Sequence, residues 1–195
     1  IIVVLFSITI LSSFGQEAFR ISGNTPGLPD ATMYLLLTTP QRVDTLASTD
    51  RINGKYNFGG RTKEPVMACI TSNVQGEPPV PFFLDNHEII IQFSASGIMV
   101  EGGESQQLYN RYNILNAALS QKMKEFEPLV RGAISRQDQV TLQALELEFK
   151  AFAEQISKEQ TQLINAHNNS IVTAYMIMSQ MNQMPLQHLK NQYAG

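Results

Sequence analysis

The sequence predicts an α+β fold, in which a small antiparallel β-sandwich is followed by an α-helical hairpin and one or two further helices. Residues 1–103 hold 10 of the 12 glycines and 7 of the 9 prolines, which divide a chain into short strands. Residues 104–195 are poor in both and carry apolar side chains at helical spacing. The predicted boundary between a β domain (16–103) and a helical region (104–195) is therefore Gly102-Gly103.

Short apolar or alternating segments between turn residues predict the strands of the first half. They are residues 19–24, 32–38, 43–48, 55–60, 66–72, 81–84, 87–94 and 98–100. The run 32–38 is the most continuously apolar, which favours a central strand. Asn53-Gly54 predicts a type I′ hairpin turn, because both residues tolerate a positive φ. A turn at Asp85-Asn86 predicts a second hairpin, between 81–84 and 87–94.

Apolar residues every three or four positions predict two long helices. The first stripe contains Leu108, Tyr112, Leu115, Leu119, Met123, Phe126 and Val130, and the second contains Leu142, Leu145, Phe149, Phe152, Ile156 and Leu163. Pro128 should kink or end the first helix, and Gly132 should mark the turn. Asp138 can cap the second helix, and the short connection predicts an antiparallel pair.

Two further helical segments are predicted after the hairpin. Asn169 or Ser170 can cap a third segment, and a fourth could begin at Pro185, whose fixed φ suits a first helical position. Asn168-Asn169-Ser170 also matches the N-glycosylation triplet, although a bacterial context favours the cap. Asp44-Thr45-Leu46 resembles the short acceptor of periplasmic O-glycosylation, with Thr45 as the modified residue.

The first residues, IIVVLFSITIL, have the length of a signal-peptide h-region and are too short to span a bilayer, which needs ~20 residues. Small residues at Ser13 and Gly15 precede Gln16 in the pattern of a cleavage site. Residues 1–15 are therefore interpreted as a signal peptide whose basic start is trimmed, which predicts a periplasmic or cell-envelope location. The alternative is a buried first strand.

Composition and charge exclude several functions. The net charge of −3 argues against a nucleic-acid binder. Cys69 is the single cysteine, so this chain has no intramolecular disulfide, CxxC pair or multi-cysteine zinc site. Hydrophobic residues make up 43% of the chain, but no stable membrane span is predicted.

No catalytic, cofactor-binding or metal-binding residue is predicted, and no cofactor is expected. His87, His167 and His188 fall in different elements, without a nucleophile elbow or an HExxH motif. Met176, Met178, Met181 and Met184 could offer soft ligands to Cu(I), but a flexible apolar surface that docks on a further domain is the favoured interpretation.

Several segments together resemble a known family. They are the FRISG strand at 19–23, YLLL at 34–37, Val43-Asp44-Thr45, NGKYNFGG at 53–60, PFFLDNHEIII at 81–91 and GGESQQLYNRY at 102–112. The pattern resembles the N-terminal domain of unknown function of exported thioredoxin-like thiol–disulfide oxidoreductases of Gram-negative bacteria. The turn Asp85-Asn86-His87 departs from that family, which often has an acidic residue and then glycine there.

The resemblance implies a non-catalytic accessory domain. It would position a thioredoxin-like domain that follows in cis and carries the working CxxC pair, contact a client protein, or form a homodimer. An alternative is a cell-envelope module that binds a ligand or glycan, with Tyr34, Tyr56, Phe82 and Phe83 lining its site. Core packing explains those aromatic residues as well.

Overall fold

The structure is a computed structural model that describes residues 18–38, 42–94 and 97–183. The predicted signal peptide and the predicted fourth helix at Pro185 lie outside these residues. Eight strands precede three helices along the described chain. The strands are β1 (Phe19–Asn24), β2 (Ala31–Thr38), β3 (Val43–Arg51), β4 (Lys55–Gly60), β5 (Val66–Ser72), β6 (Val80–Leu84), β7 (Glu88–Ser94) and β8 (Gly97–Glu101). The helices are α1 (Glu104–Ser135), α2 (Gln139–Ala166) and α3 (Ile171–Gln183). The predicted α+β class and the order of its elements are confirmed.

The strands form two four-stranded sheets, one in the order β4-β1-β7-β8 and the other in the order β3-β2-β5-β6. All neighbours are antiparallel except β1 and β7, which run parallel. β2 lies inside its sheet, between β3 and β5, as its apolar run predicted. Side chains of alternate residues from both sheets fill the core. Its fully buried members include Ile21, Leu35, Ile70, Phe82 and Ile89.

A glycine lets one large aromatic side chain into this core. Gly23 lies opposite Tyr56 across the β1–β4 pair, and a Cβ atom at Gly23 would come within 1.9 Å of the Tyr56 ring. Any larger residue at position 23 would displace the ring. The aromatic body of Tyr56 therefore covers the bare backbone of β1, and its ring meets that of Phe58 at 70°, with centroids 6.1 Å apart.

Both predicted turns form, but neither joins two neighbouring strands of one sheet. Asn53 and Gly54 have φ angles of 51° and 77°, and Ile52 and Lys55 exchange two backbone hydrogen bonds of 3.0 Å. Beyond that bridge, β3 pairs with β2 and β4 pairs with β1. The second prediction, a hairpin of β6 and β7, was wrong, because β6 pairs with β5 and β7 with β1 and β8. A tight turn reverses the chain locally, whereas the choice of sheet depends on distant strands.

Helix α1 begins where the edges of the two sheets meet. The Gln106 side chain accepts a hydrogen bond from the Phe83 amide in β6 at 2.8 Å and donates one to Asn110 Oδ1 at 2.7 Å. Asn110 Nδ2 in turn donates to the Val100 carbonyl in β8 at 2.8 Å. Since β6 and β8 are edge strands of different sheets, two amide side chains one helical turn apart join both edges to α1.

An aromatic cluster attaches the helices to the outer face of β6. The Phe83, Tyr109 and Tyr175 rings meet edge to face, with centroids 5.3–5.9 Å apart. Val172 and Met176 of α3 are fully buried in the same cluster. Ser170 caps α3, because its Oγ accepts a hydrogen bond from the Val172 amide at 3.2 Å.

The predicted helical hairpin is confirmed, with one correction. Helix α1 does not end at Pro128 and does not turn at Gly132, because it continues to Ser135. Burial of Phe126 and Ala133 on either side of Pro128 offsets its missing amide hydrogen bond. The turn follows at Gln137, with a φ of 53°, and Asp138 caps α2 by accepting the Thr141 amide at 3.0 Å.

We expect Gln106→Leu to lower the free energy of unfolding by about 1–3 kcal/mol, because the Phe83 amide loses its acceptor in a buried place. Urea denaturation measures the change. The matched control is Gln107→Leu at the next, exposed position, where the side chain bonds only the Gly102 carbonyl. Equal effects of the two substitutions would contradict the role assigned to Gln106.

Candidate functional site

A buried ion pair lies at one end of the sandwich. The Arg51 side chain is 1% exposed and binds both carboxylate oxygens of Glu77, at 2.6 and 3.0 Å. Its Nε donates to the Pro29 carbonyl at 2.8 Å, and Ser72 Oγ donates to Glu77 at 2.6 Å. Burial raises the pKa of the neighbouring Tyr56 hydroxyl to about 12.

This pair holds loops together rather than offering a reactive group. The Arg51 hydrogen bonds tie its side chain to the loops before β2 and β6, and the space left beside the pair is about 10 Å³, at the lower limit of what one water needs. The Arg51 hydrogen bonds hold the pKa of Glu77 below its usual range. We therefore assign the pair to stability.

A second polar cluster lies at the start of α1. The Asp85 residue is 5% exposed, and its Oδ1 is 3.1 Å from His87 Nδ1. A Cβ atom at Gly103, the residue before α1, would meet Asp85 Oδ2 at 2.7 Å, so the carboxylate lies close to the positive end of the helix dipole. Ser105 lines the same shallow depression, of about 290 Å³.

This cluster has the residue types of a catalytic triad without its geometry. Among the described residues, no hydrogen bond joins the Ser105 hydroxyl to His87, and the His87 side chain is 52% exposed. His167 lies at the end of α2, where its position predicted it, and lines a neighbouring depression of about 390 Å³ together with Ser105, but no hydrogen bond in the described residues joins the two side chains. His188 lies outside the described residues. In the described ranges no three histidine, cysteine or acidic side chains come together as a metal site.

The single thiol is poorly placed for redox chemistry. Cys69 lies in β5, half-buried, on the face opposite the fully buried Ala68 and Ile70. Burial raises the pKa of the Cys69 thiol, so little thiolate is present at neutral pH. The thiolate is the nucleophile in disulfide exchange, and Cys69 therefore lacks the activation that a catalytic cysteine needs.

The aromatic residues considered for ligand binding lie mostly in the core. Tyr56, Phe82 and Phe83 are each at most 2% exposed, and Tyr34 in β2 is half-buried. They are packed against other side chains, so they do not form an open binding face. Of the methionines, Met176 is fully buried against the sheet while Met178 is half exposed, so these two do not face one ligand. The side chains of Met181 and Met184 lie outside the described residues.

An apolar depression lies between α1 and α2 at the far end of the hairpin. We call it the tip groove, and its volume is about 670 Å³. Its apolar lining consists of Met123, Phe126, Val130, Ile134, Leu142, Leu145 and Phe149, and its charged rim of Glu127, Arg131 and Glu146. Six of the seven apolar residues come from the two stripes that predicted the helices, and Ile134 extends the first stripe to the tip. Met123 and Ile134 remain more than half exposed.

Polar contacts set the register of the hairpin below the groove. Lys122 Nζ bonds Glu148 at 2.8 Å and lies 4.7 Å from the centre of the Phe126 ring. Phe126 and Phe149 meet with centroids 5.8 Å apart, and Gln160 donates to Asn116 at 2.8 Å nearer the sandwich. These cross-helix contacts make the groove a defined surface of two aligned helices.

Sequence reasoning missed the polar residues that organise the domain. Arg51 and Glu77 are 26 positions apart, and no local pattern joins them. Gln106 and Asn110 have helical spacing, but their partners Phe83 and Val100 lie in strands. The position of Arg51, a cation at the end of an alternating strand, was a signal for a polar contact there. The burial of its side chain cannot be deduced from that position.

Comparison with known families agrees with the resemblance of the first half. Residues 19–109 match the family described as Domain of unknown function (DUF4369). The match covers all eight strands and the first turns of α1, including Gln106. No curated protein and no solved structure matches the chain at a significant level. No helix within the described ranges is long and apolar enough to cross a membrane.

We expect Glu77→Gln to lower the free energy of unfolding at neutral pH by about 1–3 kcal/mol, because the buried Arg51 loses its charged partner. The folded pKa of Glu77 lies below its ordinary value of 4.5, so its stabilising effect is present above that pH and is lost as the pH falls further. The variant should therefore lose less stability than the parent on acidification.

Thermal unfolding across the acid range, down to about pH 3, measures this difference. The control is Glu64→Gln, at an exposed position in the loop before β5. The same acid dependence in the parent and in Glu77→Gln would contradict the assignment.

We expect iodoacetamide to alkylate Cys69 more slowly in the folded chain than in the urea-unfolded chain at neutral pH, because burial raises the thiol pKa. Mass spectrometry over time gives both rates. A folded chain that reacts faster than the unfolded one would show an activated thiol.

Proposed function

We propose that this chain is a non-catalytic accessory module of a thioredoxin-like thiol–disulfide oxidoreductase. In this proposal the working cysteine pair belongs to a thioredoxin-like domain in cis, and the module positions that domain or contacts its client. The tip groove is the observation that carries the proposal, because it is an exposed apolar surface on two aligned helices. The redox partner in this proposal is inferred from the sequence resemblance.

The lack of an assembled reactive group in the described ranges supports a binding role. The thiol of Cys69 is half-buried with a raised pKa, and the Asp85–His87 pair has no bonded nucleophile. The Arg51–Glu77 pair is closed off inside the sandwich. The feature of the described chain that suits a partner is therefore the exposed apolar tip groove.

The division between the two halves suits such a module. The sandwich supplies a rigid base with one continuous core, and the Gln106–Asn110 pair holds α1 to both sheet edges. From that base α2 extends for 28 residues, which at 1.5 Å per residue is about 42 Å. A hairpin of this length can hold a second domain at a set distance from the sandwich.

An exported location is part of the proposal. It rests on the signal-peptide interpretation of residues 1–15 and on the resemblance to exported proteins of Gram-negative bacteria. The oxidising periplasm is where a thiol–disulfide oxidoreductase of this kind would act. The alternative, a module that binds a ligand or glycan, has less support, because three of the four aromatic residues considered for it are buried.

The purified chain should not accelerate the reduction of insulin disulfides by dithiothreitol, because one inactivated thiol cannot pass on a pair of electrons. Turbidity of the precipitating insulin chains gives the rate. A thioredoxin with an intact CxxC pair is the positive control, and Cys69→Ser is the matched variant. An acceleration that Cys69→Ser abolishes would overturn the non-catalytic assignment.

A further inference from the structure

The acceptor-like triplet Asp44-Thr45-Leu46 has no part in the proposed accessory role. Of the five aspartates in the chain, only Asp44 precedes a residue with a hydroxyl group. The triplet lies in β3, and its surroundings in the structure show whether an enzyme could reach it.

Thr45 lies on an open edge of the sandwich. Among the described strands β3 pairs only with β2 in its sheet, so the backbone groups on its other side are available to an extended partner. The Thr45 side chain is exposed, and no hydrogen bond to another described residue holds its hydroxyl group. An enzyme can therefore bind the triplet from the open edge as it would bind an extended peptide.

A β-bulge turns two residues of the triplet toward solvent. Thr45 lies opposite Leu36 and Ala47 lies opposite Leu35, so Leu46 between them has no opposite residue in β2. Such an extra residue breaks the alternation of a strand. Ala47 packs against the core, whereas Thr45 is exposed and Leu46 is 43% exposed. The hydroxyl group and the apolar side chain after it are thus both accessible.

The acidic residue of the triplet is accessible as well. The Asp44 carboxylate lies 2.7 Å from Arg42 Nε, and the two side chains are 46% and 75% exposed. An exposed ion pair of this kind contributes little free energy. A cationic group of an enzyme can therefore replace Arg42 at the carboxylate.

We propose that Thr45 is a site of O-glycosylation in the periplasm. The donor is a sugar carried on a lipid diphosphate, and a transferase of the host supplies the catalytic groups. Thr45 Oγ attacks the anomeric carbon of the sugar and forms the glycosidic bond. The bond from that carbon to the diphosphate oxygen breaks, the lipid diphosphate leaves, and the hydroxyl proton passes to a base of the transferase.

A glycan at this position would protect the edge of the sandwich. β3 is nine residues long, and an exposed edge strand is a template on which other chains can pair. A bulky, hydrated sugar on Thr45 would keep a second strand away from β3. The modification would therefore favour a soluble chain.

This inference goes beyond the accessory role and rests on only one part of the proposed function, the exported location. The test below brings the chain to the periplasm with a signal peptide from the host. A chain that arrives there unmodified overturns the glycosylation and leaves the accessory role and the interpretation of residues 1–15 as they are.

Mass spectrometry of the exported chain tests the proposal. The host is a Gram-negative bacterium that O-glycosylates its own periplasmic proteins at Asp-Thr acceptors, and one of those proteins is the reference. We expect the exported chain to exceed its sequence mass by a whole number of sugar units, and the same chain made in the cytoplasm to have its sequence mass. Trypsin cleaves after Arg42 and Arg51 and releases β3 as one peptide, whose fragmentation locates the sugar.

Four variants test the role of each residue. Thr45→Val keeps a β-branched side chain without the hydroxyl group, and Asp44→Asn removes the charge; both should lose the sugar. Thr45→Ser keeps the acceptor and should retain it. The matched control is Ser48→Ala, because Ser48 is an exposed hydroxyl residue of the same strand that follows alanine, and this variant should also retain the sugar. Melting temperatures show that each variant folds.

Three results would overturn the proposal. One is an exported parent chain at its sequence mass while the reference protein carries its glycan. Another is a sugar on any residue other than Thr45, seen in the peptide map of the parent or as a sugar that persists in Thr45→Val. The third is a sugar that Asp44→Asn leaves in place, because the triplet would then not be what the transferase recognises.

Discussion

The open edges of the two sheets are the constraint on which the rest of the structure depends. β6 ends one sheet and β8 ends the other, and the polar backbone of an edge strand needs partners when it is covered. Gln106 and Asn110 provide those partners from a single turn of α1. Two amide side chains thus determine where the first helix starts, and with it how the whole hairpin stands on the sandwich.

The described chain has a part with a continuous hydrophobic core and a part in which few side chains are buried. The sandwich has a continuous core, and the Phe83–Tyr109–Tyr175 cluster extends tight packing to the start of the helices. Farther along the hairpin, few side chains are buried, and the apolar stripe stays open on one side. Since most helical stability in proteins comes from packing of the apolar face, this distal part gains most from a partner.

The strand and helix segments could be predicted because their signals are local. Turn residues separated the strands, and the stripes from Leu108 to Val130 and from Leu142 to Leu163 marked the helices. The same stripes include most of the tip groove, so this surface was partly present in the prediction. The role of this surface could not be predicted, because the period of an apolar stripe does not say whether a helix, a sheet or a second chain covers the stripe. Along α1, Tyr112 packs beside α3 while Phe126 contacts α2.

By itself, the sequence determined the order of the elements, the cap at Asp138 and the positive-φ turn at Asn53-Gly54, and it narrowed the cap of α3 to Asn169 or Ser170. Each of these depends on atoms within about four residues of one another. Only the tertiary structure decided which sheet each strand joined, that Arg51 would meet Glu77, and that α1 would continue through Pro128. Those outcomes depend on free energies of burial and of hydrogen bonding between residues far apart in the chain, which no local pattern carries.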